Sequence, residues 1–471
     1  MKKYSILLLS LFALVSCGNS RIIEISSLEE LAGYARRDSN SVKLLPGTYK
    51  LIDFLNADSI AARLERNQYP YIEFSGSNNT FDFEGVTFEI DTRLRKLLRH
   101  PIHTNEIFVS GDSNTMKGLE IIHIGDETSP GGVTFCTEGQ GNTIDGFTLR
   151  VQGSFPYGYG DLFGKGGPDV IRHAKHSGFL ITGSGTTILN TSLYMRSFGH
   201  GFYIQKSASD IRFENCYVEG ELFSTDDVLK ETSGPAFDVE FRTWTANREG
   251  QYVVTPGYTK SMCEEGFRTY NRDNNNITFI NCTAKNTRGG FELRTNGGVH
   301  LENCTTIGTE RAYWVGNDAV MKNCKGDANY GPLLFLEGSN VQVELIVDPA
   351  ESDRLVHSLI TIQGKHNKVT LRPANGINRT RPLPILIGYT HPEHGESMSP
   401  YGEAPCVNLE LVNETTMPVE LGDQSENCLV RTRGEILEDK GTGNRVESLQ
   451  PEIFLKNDSR CDSRQPNSLP I

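Results

Sequence analysis

One short phrase recurs eight times along the chain, and its recurrence limits the fold more than any other feature. It reads FDFEGVTFEI from Phe81, TMKGLEIIHI from Thr115, TIDGFTLRV from Thr143 and TILNTSLYM from Thr187, then IRFENCYVEG, ITFINCTAKN, VHLENCTTIG and AVMKNCKGDA. Each copy carries an apolar residue two places before a hinge that is always Gly or Asn: Gly85, Gly118, Gly146, Asn190, Asn215, Asn281, Asn303 and Asn323. Those two residue types enter the left-handed backbone region most readily, so the hinge marks a sharp bend made once per repeat. Asn281, Asn303 and Asn323 are 22 and 20 residues apart, and Asn190 and Asn215 are 25 apart. The 66 residues from Asn215 to Asn281 fit three turns of the same period. A period of this size suits a coil of three short strands and three bends, each strand extending a parallel sheet into the next coil. The expectation is an all-β, single-stranded right-handed parallel β-helix, with the hinge asparagines hydrogen-bonded in a file. An antiparallel sandwich would have no fixed period near this value.

The other elements fit such a solenoid. Ser27-Leu28-Glu29-Glu30 is a capping box that opens an amphipathic helix to about Arg37, placed to plug the amino-terminal mouth, and SVKLLPGTYKL follows as a strand pair. VQVELIV, KVTLRP and VNLELV extend the coil toward the far end. Cys216, Cys282, Cys304 and Cys324 each follow a hinge asparagine and are expected in the core, one per level, which is no metal-binding pattern. Cys406 and Cys428, placed outside the repeat, are the disulfide candidates. Insertions near 153–170, 221–262 and 390–405 interrupt the period and are expected to wall a groove. Within the second, FDVEFRTW reads as a strand, on which Asp238 and Glu240 would share one face as a possible calcium site.

The ends speak to location. Lys2 and Lys3 precede an apolar run from Ile6 to Val15 and then Ser16-Cys17, the pattern of a lipoprotein signal. Residues 1–16 are expected to be removed and Cys17 acylated, which anchors the body, residues 17–447, to the cell envelope as a monomer. The absence of an acidic run after Cys17 favours the periplasmic side of an outer membrane. Residues 448–471 read as a polar tail. The formal charge of −13 becomes −15 without the two lysines, which argues against a nucleic-acid partner.

A second register lies in HSGFLI, GHGFYI, EEGFRTY, RGGFELR and ERAYWV. Phe179, Phe202, Phe267, Phe291 and Tyr313 are its inward anchors, which leaves an outward stripe of His200, Tyr203, Glu265, Arg268, Tyr270, Glu292, Arg294, Arg311 and Trp314. His176, Arg288 and Glu310 lie at adjoining bends. With strands about 4.8 Å apart, the stripe is a dense band of imidazole, guanidinium, carboxylate and aromatic groups on which a sugar chain could lie. A ladder of ion pairs with no ligand is the plain alternative.

The repeat region, about residues 40–375, resembles the pectate-lyase-like superfamily of carbohydrate-active β-helices. Within it, FELRTNGGVHLENC is similar to the arginine-bearing coil of the chondroitinase B and alginate lyase family, Arg294 matching the arginine. That family's lysine base is replaced by Arg272, and Glu264-Glu265 only loosely match its calcium-binding carboxylates. Gly199-His200-Gly201 is similar to the Gly-His-Gly of polygalacturonases, without their paired aspartates in order, and to the His-Gly strand of alginate epimerases, without their Asp-Pro-His.

Three functions remain in competition. The first is β-elimination of a uronic-acid polysaccharide: Arg268 and Arg294 clamp the carboxylate, His200 is the base, and Tyr203 or Tyr270 gives a proton to the leaving oxygen, with Glu292 beside them. Substrate contacts would come from His176, Glu265, Tyr270, Arg272, Arg288, Glu310, Arg311 and Trp314, and calcium is a possible cofactor. The second is hydrolysis by two carboxylates among Glu265, Glu292, Glu310, Asp226 and Asp227. The third is glycan binding without turnover.

Overall fold

The computed structural model describes residues 21–449, apart from 56, 66–69, 98–103, 154–159, 164–169, 172–173, 245, 248, 349–357, 375–382 and 391–401. The expected signal segment, Cys17, residues 450–471 and most of the first and third insertions lie outside the described residues.

The chain winds into a parallel β-helix. One sheet of 21 strands holds the repeated phrase, and a second of 13 strands holds the GF register. The hinge divides the first sheet into two rows, as where Ile211–Glu214 and Tyr217–Gly220 flank Asn215. Some strands pass through it unbroken, among them Thr80–Asp91 and Val320–Ala328. Each full coil therefore has three strand segments, as the period predicts.

The hinges carry the expected chemistry. Asn190, Asn215, Asn281, Asn303 and Asn323 all sit at φ between 49° and 54°. From Asn215 on, each side-chain amide donates to the Oδ1 of the asparagine one coil earlier, Asn215 to Asn190 at 3.0 Å, Asn281 to Asn215 at 3.1 Å, Asn303 to Asn281 at 3.3 Å and Asn323 to Asn303 at 2.6 Å, while Asn190 donates to Asp145 Oδ1 at 2.8 Å. Asparagine tolerates the left-handed bend and carries both a donor and an acceptor, so one residue type meets both demands.

The 66-residue interval needs correction. Ile211–Glu214 pairs directly with Ile277–Ile280, so Asn215 to Asn281 is one coil with a long excursion and not three turns. The excursion leaves and returns through an antiparallel pair, Leu222–Ser224 with Thr259–Ser261. Its Val228, Ala236 and Val254 form a small core with Leu162 and Phe163 of the first insertion, so the two insertions pack together. FDVEFRTW is no strand: Pro235–Asp238 is a helical turn with Pro at its start, and Glu240 lies at φ 55°. The alternation that placed Asp238 and Glu240 on one strand face is therefore absent, and with it the calcium reading there.

The interior is a set of files. The rings of Phe202, Phe267, Phe291 and Tyr313 stack in sequence at 5.1, 4.7 and 5.4 Å, within 10° of parallel. Cys216, Cys282, Cys304 and Cys324 are buried free thiols, as expected. Cys406 and Cys428 are buried and free as well, against the disulfide expectation, and Cys428 Sγ donates to the Cys406 carbonyl at 3.5 Å. Cys428 follows Asn427, which has φ 53°, but the strand register aligns that bend with Asn408, His366 and Asn340, so Cys428 lies in a different file from the four post-hinge cysteines.

At the amino end, helix Leu28–Tyr34 buries Leu28 and Leu31 against the first coils, and the Ser27 side chain accepts from Glu30 N at 3.2 Å. It stops three residues short of Arg37, because the Ala35 carbonyl is used by Gly76 N of the coil at 2.9 Å. Among the described residues no helix is long and apolar enough to cross a membrane.

Replacing Asn303 by Ala removes two ladder bonds and leaves the left-handed bend to a residue that enters it less readily than Asn, so about 2–3 kcal/mol of stability is expected to be lost. Asn303→Gly should lose about 1 kcal/mol, since it gives up only the bonds. Urea unfolding of both variants checks the order, and equal losses would remove the backbone part of the explanation.

Candidate active site

The GF register owes its shape to glycine. Gly201 and Gly266 face the opposite row so closely that a β-carbon would lie 2.7 Å from Val218 Cγ2 and 2.8 Å from Val218 Cγ1, respectively. Each pair of glycine and aromatic residue therefore turns inward together. The residues on either side, His200 and Tyr203 on one coil and Glu265 and Arg268 on the next, emerge on the same outer face although they are three apart. Parallel register then stacks Tyr203 on Arg268, Arg268 on Glu292, and Glu292 on Trp314.

His200 stands at the centre. Its Nδ1 is 2.6 Å from Glu265 Oε2, its Nε2 is 3.3 Å from Glu264 Oε2, and the same Nε2 bonds to the Tyr270 hydroxyl. His200, Glu264 and Glu265 are buried, whereas Tyr270 is 41% exposed and forms the outer end of the chain. Burial lowers the His200 pKa below the usual imidazole value, partly offset by Glu264 and Glu265, so the ring is neutral near pH 7. Both carboxylates stay ionised, because the groups around them outweigh burial: Arg268, Arg288 and the His200 ring for Glu265, and the His200 ring, Lys175 and Arg288 for Glu264, whose pKa falls to about 2. Burial, then the charge of Glu264, raises the Tyr270 pKa, so its phenol is neutral and a donor.

Toward the next coils the guanidinium groups converge. Arg268 Nη1 lies 2.7 Å from Glu292 Oε1 and 3.2 Å from Glu265 Oε2. Arg294 Nη2 reaches Glu292 Oε1 at 3.0 Å, and Arg311 Nη2 reaches Glu292 Oε2 at 3.6 Å. Arg288 pairs with Glu265 and, at 3.4 Å, with Glu264, while Lys175 meets Glu264 at 2.7 Å. Among the described residues, five cations (Lys175, Arg268, Arg288, Arg294, Arg311) thus face three carboxylates (Glu264, Glu265, Glu292), a local balance of positive charge on a chain whose net charge is −13. Arg268 lies over the Tyr270 ring and Arg294 over the Trp314 ring, both at 4.6 Å.

The structure therefore brings together His200, Tyr270, Glu265, Arg268, Arg288, Glu292, Arg294 and Arg311, with Trp314 beside them. Tyr203 is buried, its ring 5.2 Å from that of His200, and it supports the histidine from below. Arg272 and Trp314 share Glu337, each at 2.5 Å, a partner the sequence reading missed. Glu310 is engaged at the foot of the second insertion, accepting from Ser261 N at 2.9 Å with Lys260 at 3.6 Å. Asp226 and Asp227 lie on that insertion, Asp227 exposed and paired with Lys230 at 2.9 Å.

His176 belongs to a second cluster that the sequence did not disclose, with Glu106, His123 and Arg95. Glu106 Oε2 is 2.6 Å from His123 Nε2 and 3.6 Å from His176 Nε2, and Ser129 Oγ is 2.8 Å from His176 Nδ1. Glu106, His123 and His176 have donor atoms within 4.8 Å of one another, as do His200, Glu264 and Glu265. Neither group fits calcium, which takes six to eight oxygen ligands. The first is filled by Arg95, whose Nη2 lies 3.2–3.3 Å from His123 Nδ1, His176 Nε2 and Glu106 Oε1, and the second is already neutralised by arginine and lysine.

No family model matches the chain, and no curated protein matches it. Solved structures do align. A PL6 alginate lyase in complex with a trisaccharide shares 11% identity over 91% of this chain and 85% of its own, with a TM-score of 0.46. The Streptococcus pneumoniae surface adhesin PfbA shares 12% over 85% and 90%, with a TM-score of 0.36. The endo-xylogalacturonan hydrolase of Aspergillus tubingensis shares 9% over 91% and 93%, with a TM-score of 0.34. Such overlaps leave the site to be read from this chain's own residues.

Burial, then the Arg95 charge, lowers the His176 pKa from 6.5 to about 4. Between those values the unfolded chain binds more protons, so stability should fall as pH drops from 6.5 toward 4, by about 3 kcal/mol at most. Urea midpoints at pH 7 and pH 5 measure the fall. His176→Gln should flatten that part of the slope, and an unchanged slope would contradict the assignment.

Proposed function

We propose that the chain is a carbohydrate-active β-helix protein that cleaves a uronic-acid polysaccharide by β-elimination, with Tyr270 and His200 as its proton-transfer pair. One observation carries this reading: a half-exposed tyrosine hydroxyl is bonded to a buried neutral histidine beside a patch with surplus positive charge. Elimination requires a carbon-bound proton next to a carboxylate to become acidic, so the carboxylate must first be neutralised. Arg268, Arg294 and Arg311 are the groups for that.

In the proposed reaction the Tyr270 proton passes to His200 Nε2, and the phenolate oxygen takes the proton from the carbon bearing the carboxylate. The electron pair left on carbon forms the new double bond as the neighbouring glycosidic C–O bond breaks. Tyr270 then gives its proton to the leaving oxygen and recovers its own from His200. Glu264 and Glu265 offset the charge on the imidazolium, and Arg268 over the ring offsets the charge on the phenolate. Sequence reasoning assigned the base to His200 itself, but its burial leaves Tyr270 as the group that meets substrate, with His200 a positioning residue and proton store.

Hydrolysis by two carboxylates is less well supported. A general acid needs a raised pKa, whereas Glu264 and Glu265 are held low by neighbouring cations. We also propose that Cys17 carries the lipid and holds the body at the envelope, which incorporation of labelled fatty acid, abolished in Cys17→Ala, would test.

A panel of uronic polysaccharides should yield unsaturated products that absorb in the ultraviolet, with no need for added calcium. Tyr270→Phe should lower kcat by about 10²–10⁴ with little change in KM. Arg294→Ala should act more on KM. New reducing ends without ultraviolet absorbance would instead mean hydrolysis, and binding without either product would mean a glycan-binding protein.

A further inference from the structure

Glu292 is the least expected member of the site, because it points a carboxylate into the guanidinium cluster assigned above to a substrate carboxylate. Its Oε1 takes Arg268 at 2.7 Å and Arg294 at 3.0 Å, and its Oε2 takes Arg311 at 3.6 Å, an arrangement that three arginines would equally offer to a sugar's carboxylate or sulfate. One further observation shows donor capacity left over. Arg268 Nε is enclosed and has no hydrogen-bond acceptor among the described residues.

We infer that Glu292 is an internal occupant of an anion-binding subsite formed by Arg268, Arg294 and Arg311, and that it competes with the anionic group of the ligand. The ligand class is an anionic sugar bearing a carboxylate or sulfate, which rests on the lyase reading only for its chemical consequence and not for the binding itself. Glu292 has two effects. Without a ligand it spares three adjacent guanidinium groups their mutual repulsion, so the subsite stays folded when empty. With a ligand it leaves affinity moderate, because the incoming anion must share or displace a carboxylate already in place. Loose anions such as sulfate are thereby held off, while a chain that gains contacts along several coils still binds.

The test is calorimetric titration of the full chain with inorganic sulfate and, separately, with a short oligouronate, for the wild type and Glu292→Gln. Glu292→Gln keeps the shape and removes the charge, and it is expected to bind both at least ten-fold more tightly, with a steeper dependence on salt. Adding Arg294→Ala to Glu292→Gln should abolish the gain. Glu292→Asp, which retracts the charge by one methylene, should give a smaller gain and serves if the glutamine variant does not fold. Equal or weaker binding by the folded variants would overturn the inference. Tighter binding with no unsaturated product from any polymer would keep the subsite and remove the lyase reading. Unsaturated product with no gain in binding would do the reverse.

Discussion

The asparagine at the bend is the constraint on which the rest of this molecule depends. A parallel coil must turn at the same place in every circuit, and each turn needs a backbone conformation that most residues resist. Asn190, Asn215, Asn281, Asn303 and Asn323 supply that conformation and bond to one another along the axis, so one side chain fixes both the local bend and the register between coils. Once the register is fixed, everything on the adjoining sheet stacks without further instruction: Phe202 on Phe267 on Phe291 inside, Tyr203 on Arg268 on Glu292 outside.

The site follows from that stacking and from a local irregularity. Ideal alternation would place His200 and Phe202 on the same face. The close approach of Gly201 and Gly266 to the opposite row lets both the glycine and the aromatic turn inward, which frees His200 and Glu265 to point out beside Tyr203 and Arg268. Buried carboxylates would be costly alone, and the cluster keeps them ionised by surrounding them with more cations than they need. Among the described residues this cluster is locally cationic on an acidic body, which gives the chain an uneven surface potential.

Much of this was legible in the chain itself. The eight-fold phrase gave the coil, its hinge residues and its inward cysteines, and the GF register gave the inward aromatics and most of the outward stripe, because stacking repeats a local pattern at a readable interval. What escaped was set by contacts with no such interval. Lys175 meets Glu264, Glu337 meets Arg272 and Trp314, and Arg95 fills the centre of Glu106, His123 and His176 across irregular turns. The excursion between Asn215 and Asn281 misled in a different way: its length happens to equal three periods, so spacing alone could not distinguish hidden coils from one interrupted coil. Gly234-Pro235 starts a helical turn where β-favouring residues suggested a strand, a local signal that outranks composition.

The claim most exposed to test is that Asn215 and Asn281, 66 residues apart, lie on successive coils in direct contact. A double-mutant cycle with Asn215→Ala, Asn281→Ala and the pair, followed by urea unfolding, measures their coupling. The account expects a coupling energy of about 1 kcal/mol, the worth of one side-chain hydrogen bond between neighbours. Strict additivity of the two losses would mean that the file is broken at the insertion, and that the coil bearing His200 does not sit on the coil bearing Glu265 and Tyr270.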